Sequence, residues 1–220
     1  MKLLVLANSY KPGGRCIAGI DLDTGKWVRP VGDLPEGSIS FAATKVNKAG
    51  DFVPVAPLDM VEFSVGQNRA TPHHPEDIEL RSAFNYLGNI TIAELRTDFA
   101  KVIQNEGPIF GDYSDRISVS TSFGNSGQGS LLLVHVPKLF FNYVSKYGKL
   151  KPRGSWSTAG GDFNLAITDP EFEHVRGSLL KGVIIGALVT ISLGEEYKGS
   201  HYKLIATVLP FGEVVTQGSF

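Results

Sequence analysis

The chain has 220 residues, of which 42% are hydrophobic and 20% charged, with a formal net charge of −1. This is the composition of an ordinary globular protein, long enough for one large or two small domains. A near-neutral charge argues against a protein that grips duplex DNA through a large basic surface, so any nucleic-acid contact must come from a local patch. The single cysteine, Cys16, excludes an intrachain disulfide and a multi-thiolate metal site and is typical of the cytoplasm.

The first half of the chain predicts short strands separated by Gly, Pro, Asn and Asp. An apolar run at the N-terminus is too short for a signal peptide, and no stretch reaches the roughly 20 apolar residues that span a bilayer. We therefore expect a cytoplasmic protein without membrane contact. Gly25 is placed to close a hairpin, because glycine accepts a positive φ. The predicted strands are Lys2–Ala7, Arg15–Leu22, Lys26–Val31, Phe52–Val55 and Asp59–Gln67.

One segment in the middle of the chain has the pattern of a helix. Thr91 and Glu94 have the spacing of a capping box, in which each residue satisfies a free N–H group of the other. Apolar residues then recur at helical spacing as far as Ile103. The pattern predicts a core-packing helix over residues 91–103.

The second half returns to strand patterns, with β-branched and apolar runs. These predicted strands are Leu131–Pro137, Asp162–Thr168, Val183–Leu193 and Tyr202–Leu209. The fold class is therefore mainly β, with two tandem small β-barrels and one helix between or beside them, because closure removes the free edges of short strands. The domains are predicted at 1–110, including the helix, and at 111–220, although no simple sequence repeat links them.

Near the N-terminus, a Gly-Gly loop lies between two cations. Consecutive glycines let backbone N–H groups converge on an anion, and flanking cations strengthen that attraction. Trp27 and Arg29 alternate on the next strand and share one face, where a ring could stack on a base. The alternatives are a tight turn with solvated cations, and Trp27 as a core residue. The candidate ligand-binding residues here are Lys11, Gly13, Gly14, Arg15, Trp27 and Arg29.

A second candidate strip interleaves aromatic and basic residues. Binding of single strands without sequence preference combines stacking on rings with charge along the backbone, so the strip predicts a single-strand groove. The strip runs from Phe140 to Trp156, and its rings are those of Phe141, Tyr143, Tyr147 and Trp156. About half of these rings should belong to the core, and the later hairpin tip is also consistent with a solvated turn. The candidates are Lys146, Lys149, Lys151, Arg153 and Trp156 in the strip, and His201 and Lys203 beside the hairpin tip.

Three stretches resemble the bacterial dual OB-containing domain family: Asn8–Gly19 with Trp27–Pro30, Leu165–Pro170, and Thr190–Glu195 with Tyr202–Ala206. They are spread from residue 8 to residue 206, so the resemblance covers nearly the whole chain. The resemblance implies two OB-type barrels in tandem and a nucleic-acid-binding role associated with bacterial defence or conflict systems. It carries no catalytic residues with it.

We interpret the chain as a binding module that holds single-stranded nucleic acid by stacking and local phosphate contacts, without turnover. Three alternatives stay open: a sensor of a small nucleotide, a hydrolase or nuclease that uses Cys16 or scattered acids, and a protein-interaction scaffold. The sequence predicts neither a metal site nor a cofactor, since the adjacent His73 and His74 point to opposite faces of an extended chain. The expected partners are single-stranded nucleic acid or a nucleotide, together with an effector protein.

Overall fold

The structure is a computed structural model that describes residues 1–105, 107–120, 129–146, 148–174 and 181–216. About 60% of it is strand and 8% helix, which confirms the mainly β class. The chain forms two compact units. The first comprises Met1–Ala100 and Ser122–Ser130, and the second Lys101–Thr121 and Leu131–Phe220.

The first unit contains nine strands and one α-helix in its described residues. The strands are β1 (Lys2–Lys11), β2 (Gly14–Asp21), β3 (Trp27–Val31), β4 (Lys45–Lys48), β5 (Asp51–Pro54), β6 (Asp59–Glu62), β7 (Val65–Asn68), β8 (Asp77–Leu80) and β9 (Asn85–Asn89), and the helix is α1 (Ile92–Asp98).

The sheet of the first unit has the order β7-β8-β3-β2-β1-β6-β9 and curls into a half-barrel. β6 and β7 act as two halves of one strand, interrupted at Phe63 and Ser64. β6 pairs antiparallel with β1, whereas β7 pairs antiparallel with β8. Side chains on the concave face form the core, among them Leu3, Ile17 and Phe63.

The second unit contains eight strands and a short helix in its described residues. They are β10 (Ile103–Gln104), β11 (Arg116–Ser118), β12 (Leu131–Lys146), β13 (Lys149–Thr158), β14 (Gly161–Ile167), α2 (Pro170–His174), β15 (Lys181–Tyr197), β16 (Ser200–Pro210) and β17 (Val214–Thr216).

Five strands of the second unit form a closed barrel. The order β12-β13-β14-β16-β15 returns to β12 through an antiparallel β12–β15 ladder. β14 and β16 are the parallel pair. The predicted small barrel is therefore confirmed, and this is the OB-type architecture that the resemblance implied.

Both units follow one strand order. In each, the first strand pairs with the second and fourth, and the third runs parallel to the fifth: β3 with β8 in the first unit, β14 with β16 in the second. The fourth strand is one piece in the closed barrel (β15) and two pieces in the half-barrel (β6 and β7). The structure thus contains a repeat that the sequence pattern does not reveal.

The capping box at Thr91 and Glu94 is present, with both reciprocal hydrogen bonds. The helix is nevertheless shorter than the predicted 91–103, since α1 ends at Asp98. A single 3-10 turn follows, and Ile103 then pairs with Leu133 in the second sheet. Pairing across the chain takes precedence there over helical periodicity. None of the helices in the described ranges combines the length and apolar character needed to cross a bilayer.

Candidate functional site

The outer face of the closed barrel carries exposed cations and amides around one aromatic ring. Phe140 and Asn142 on β12 are exposed, and they alternate with the buried Leu139 and Phe141. Side chains on a strand alternate between its two faces. Phe140, with 47% of its surface exposed, therefore points away from the core. We call this surface the barrel face.

The register of the strands arranges the barrel face in two rows. In the first row, Asn142 of β12 lies between Lys181 of β15 and Arg153 of β13. In the second row, Phe140 is paired with Val183 on one side and Ser155 on the other, and Ser155 is paired with Asn164. Neighbouring strands are about 5 Å apart, so the amide and both cations lie within reach of one small ligand.

Arg153 fixes the orientation of one amide on this face. Its Nε donates a hydrogen bond to Asn164 Oδ1 at 2.6 Å, and its Nη2 donates to the main-chain oxygen of Asn164. The carbonyl side of the Asn164 amide is therefore engaged, and its NH₂ group is left to donate elsewhere. The guanidinium keeps its remaining donors for a ligand.

All members of the two rows except Arg153 line a pocket of about 370 Å³. It has both the apolar wall and the small number of polar groups that are typical of ligand sites. In the described part of the chain, the side chains of Asn142, Ser155 and Lys181 have no hydrogen bond or ion pair with another residue. Its lining residues are Phe140, Phe141, Asn142, Ser155, Asn164, Lys181, Gly182, Val183 and Val215.

Further cations surround the barrel face. The Lys138 ammonium lies 4.8 Å from the centre of the Phe140 ring, a cation–π contact. Lys149 and Lys151 are exposed at the start of β13, next to the hairpin that joins it to β12. Lys146 ends β12, and its side chain lies outside the described residues.

The N-terminal candidates occupy the equivalent hairpin of the first unit. Instead of ending at Ala7, β1 continues to Lys11, which pairs with Gly14 across a two-residue turn. Gly13 has a φ of +78° in that turn. Gly14 belongs to β2 and is buried, and a Cβ there would lie 2.1 Å from the carbonyl oxygen of Ile39. The predicted Gly-Gly cradle is thus a tight hairpin, because Gly14 serves the close approach of another backbone.

The Arg15 side chain contacts two aromatic rings beside this hairpin. Its guanidinium carbon lies 4.2 Å from the centre of the Tyr10 ring and 5.2 Å from that of Phe41, which is 51% exposed. Arg15 Nη1 is buried and has no hydrogen-bond partner among the described residues. The first unit therefore also brings rings and a cation together beside the hairpin of its first two strands. Lys11, at the end of β1, is half-buried.

Arg29 lies inside the first unit and does not share an exposed face with Trp27. Only 3% of Arg29 is exposed, and it makes a bidentate ion pair with Asp77 at 2.6 and 2.9 Å. Burial lowers the pKa of Arg29, but Cys16 and Asp77 raise it by more, so its pKa is higher than usual. Trp27 is half-buried at the start of β3, which leaves both interpretations of it open. We therefore assign Arg29 a structural role inside the first unit, not a role in ligand binding.

Trp156, His201 and Lys203 also lie inside the second unit. Trp156 is 4% exposed and stacks on Phe163, with ring centres 4.8 Å apart. His201 Nδ1 is hydrogen-bonded to the main-chain oxygen of Gly194 at 2.8 Å. These buried residues stand at the inward positions of β13 and β16, which corrects the view that they line an exposed groove.

Lys203 is held by an ion pair. Its ammonium lies 2.5 Å from Asp112 Oδ1, and its side chain is completely buried. Burial lowers the pKa of Lys203, although Asp112 opposes this effect in part. Lys203 is therefore engaged inside the second unit and is not free to neutralise a phosphate.

Other exposed rings and a cation lie beside the hairpin of β15 and β16, and sequence reasoning missed them. The Arg116 guanidinium lies 5.0 Å from the centre of the Tyr202 ring and donates to its hydroxyl. Tyr197, which is 59% exposed, lies next to Tyr202 with ring centres 6.3 Å apart. Counting alternate positions from the start of β16 would have placed Tyr202 outside and His201 inside.

Sequence reasoning also missed Phe140, Asn142 and Lys181. The alternation of Phe140 and Asn142 with Leu139 and Phe141 was a usable signal for an outward face. Nothing in the local sequence could place Lys181 beside Asn142, since the two meet only through the β12–β15 ladder. In the described ranges, no group of three or more His, Cys, Asp and Glu side chains is arranged to hold a metal ion.

A closed five-stranded barrel and a curled half-barrel that share one strand order define a tandem OB-fold protein. The family model described as the dual OB-containing domain matches residues 1–208. The chain therefore belongs to the dual OB-containing domain family, as its sequence resemblance indicated. No curated protein and no solved structure matches the chain.

Proposed function

We propose that this protein binds single-stranded nucleic acid on the barrel face of its second unit. The observation that carries the proposal is the exposed Phe140 ring, which lies in the row next to the one formed by Lys181, Asn142 and Arg153. Stacking on a ring and neutralisation of nearby phosphates are the two contacts that hold single strands. Unpaired bases of a single strand can turn outward and stack on an exposed ring such as Phe140.

The position of this face within the fold supports the proposal. OB-type barrels commonly bind oligonucleotides on the surface of their second and third strands and on two adjoining loops. Here the second and third strands are β13 and β14, which carry Arg153 and Asn164. The adjoining loops join β12 to β13, near Lys149, and β15 to β16, near Tyr197.

We also propose that the protein holds its ligand without turnover and acts with an effector protein. The proposed setting is a bacterial conflict system, which the family resemblance implied. The proposed role of the chain is recognition, and the chemistry belongs to the partner. An end-labelled oligonucleotide incubated with the purified protein and Mg²⁺ should therefore be recovered intact. Cleavage that follows the protein through purification would contradict this part of the proposal.

The experiment is a fluorescence anisotropy titration of a labelled single-stranded oligonucleotide with the wild-type protein and with Phe140→Ala. Loss of one stacked base costs about 1–3 kcal/mol, so the dissociation constant should rise roughly tenfold. The matched control is Phe52→Ala, which removes a ring that is 69% exposed on β5 of the first unit.

Wild-type affinity in Phe52→Ala together with weakened binding in Phe140→Ala would support the barrel face. Equal affinities in both variants would remove Phe140 from the interface. An absence of binding by folded wild-type protein, with DNA and RNA oligonucleotides alike at low salt, would overturn the proposal.

A further inference from the structure

We infer that the pocket beside Phe140 is a site for a single nucleotide, in which Asn142 reads the edge of an adenine base. This inference rests on the proposed function, because it names the unit of the strand that the barrel face recognises. It goes further in one respect: the pocket should bind a free nucleoside monophosphate and should discriminate between bases.

The size of the pocket supports a ligand of this class. A volume of about 370 Å³ lies near the lower end of the range for small-molecule sites, so one nucleotide fits and a longer segment does not. The Phe140 ring and Val183 supply an apolar wall against which a base can lie flat. The Lys138 ammonium lies over the Phe140 ring. A base would therefore stack on the part of the ring that borders the pocket.

The polar groups of the pocket favour recognition of a base edge. Asn142 offers one acceptor and two donors, and no described residue engages them. An asparagine amide pairs with adenine through two hydrogen bonds, one donated and one accepted. Asn164 adds a donor in a known orientation, because Arg153 already occupies its carbonyl oxygen. The pocket can therefore distinguish bases through the amides of Asn142 and Asn164, in addition to stacking a base on Phe140.

The row that contains Asn142 also contains two cations that can contact the phosphate of the nucleotide. Lys181 and Arg153 flank Asn142 on the neighbouring strands, each about 5 Å away across the ladder. A base edge held by Asn142 leaves its sugar and phosphate either toward Lys181, which lines the pocket, or toward Arg153, which lies on β13 beyond the lining. One phosphate can thus be neutralised without the large basic surface that the net charge of −1 excludes.

The test is isothermal titration calorimetry of the full-length protein with AMP, GMP, CMP and UMP at low salt. AMP should bind about tenfold more tightly than each of the other three. The variant Asn142→Ala should weaken AMP binding by a similar factor and abolish the preference. Because Asn142 is exposed, the variant should fold, which a circular dichroism spectrum can verify.

The matched control is Asn85→Ala, which removes an exposed asparagine from β9 of the first unit. It should bind AMP like the wild type. AMP should also displace a labelled oligonucleotide from the wild-type protein, since both use the barrel face. AMP binding that survives Asn142→Ala unchanged, or equal affinity for all four nucleotides, would overturn the assignment to this pocket.

The experiment distinguishes failure of the single-nucleotide site from failure of the proposed function on which it rests. If oligonucleotides bind through Phe140 but no mononucleotide does, the single-nucleotide site is wrong and the proposed function stands. If neither ligand binds, both are wrong.

Discussion

Arg29 shows what a single buried charge contributes to the first unit. Its guanidinium and the Asp77 carboxylate satisfy each other through two hydrogen bonds at the β3–β8 junction. Charges removed from water are tolerated only when they are paired in this way. Asp77 is itself 11% exposed, so neither partner can recover full hydration if the other is lost.

Replacing Arg29 by alanine should therefore destabilise the first unit strongly. Loss of one partner from a buried ion pair lowers the free energy of unfolding by about 3–5 kcal/mol. The measurement is chemical denaturation of Arg29→Ala beside the control Lys26→Ala, which removes an exposed cation. The double variant Arg29→Ala, Asp77→Ala should lose less than the two single variants added together. A loss below about 1 kcal/mol would show that Asp77 is rehydrated in the variant.

The chemical type of a residue did not by itself predict whether its side chain is buried or exposed. Arg29 and Lys203 were candidates because they are cations in a favourable stretch, yet each is buried against a carboxylate that is distant in the sequence. Lys149, Lys151 and Arg153 came from the same reasoning and lie on the surface. What separates the two groups is the carboxylate partner. The β3–β8 pairing brings Asp77 to Arg29, whereas Asp112 reaches Lys203 from the segment between β10 and β11.

At the scale of the element, β13 carries the site on one side and the core on the other. Arg153 and Ser155 point outward, and Gly154 lies between them facing the interior. A Cβ at Gly154 would meet Ile205 Cδ1 at 2.6 Å and Leu139 Cδ1 at 3.1 Å. The absence of a side chain there lets the strands of this small barrel pack closely.

The substitution Gly154→Ala should lower the free energy of unfolding. A methyl group forced into a packed core costs about 1–3 kcal/mol, whereas the stiffer unfolded chain returns about 0.4–1 kcal/mol. The net loss should be on the order of 1 kcal/mol. Thermal unfolding checks it, with the neighbouring outward substitution Ser155→Ala as a control that should change little. Unchanged stability in Gly154→Ala would mean that Ile205 and Leu139 have room to move aside.

Local signals predicted the beginnings of elements better than their ends. The capping box fixed the start of α1, because Thr91 and Glu94 interact within one turn. The end of the helix was wrong, since the apolar residues after Phe99 turn from helical packing to a parallel pairing with β12. Likewise, the polar residues after Ala7 predicted a loop, but the ladder with β2 holds Asn8 to Lys11 in the strand.

At the scale of the whole molecule, two small β-barrels were predictable from the count of strands, but the strand order that the two units share was not. The same pairing scheme is built from different side chains, and the fourth strand is continuous in one unit and interrupted in the other. The pocket beside Phe140 depends on the β12–β15 ladder that closes the barrel. Only the closure of the fold brings Lys181 to Asn142, across about forty residues of sequence.

The charge of the whole molecule predicts how binding depends on salt. With 21 basic and 22 acidic residues, the protein has no general attraction for polyanions. Its contacts with phosphate should come from the barrel face and the cations around it, which in the described residues are Lys138, Lys149, Lys151, Arg153 and Lys181. Contacts with about two to five phosphates of a single strand give a slope of about −1.4 to −3.5 for log K against log salt.

Titrations of the labelled oligonucleotide at several salt concentrations measure this slope. The double variant Lys149→Ala, Lys151→Ala should flatten it by about 1.4, because each lost phosphate contact removes about 0.7. The matched control Lys26→Ala, Lys45→Ala removes two exposed cations from the first unit and should leave the slope unchanged. If both double variants flatten the slope equally, phosphate contacts are spread over both units, and the barrel face is not the sole interface. A slope near zero in the wild type would instead mean that the ligand is held without its phosphates, contrary to the place we assign to Lys181 and Arg153.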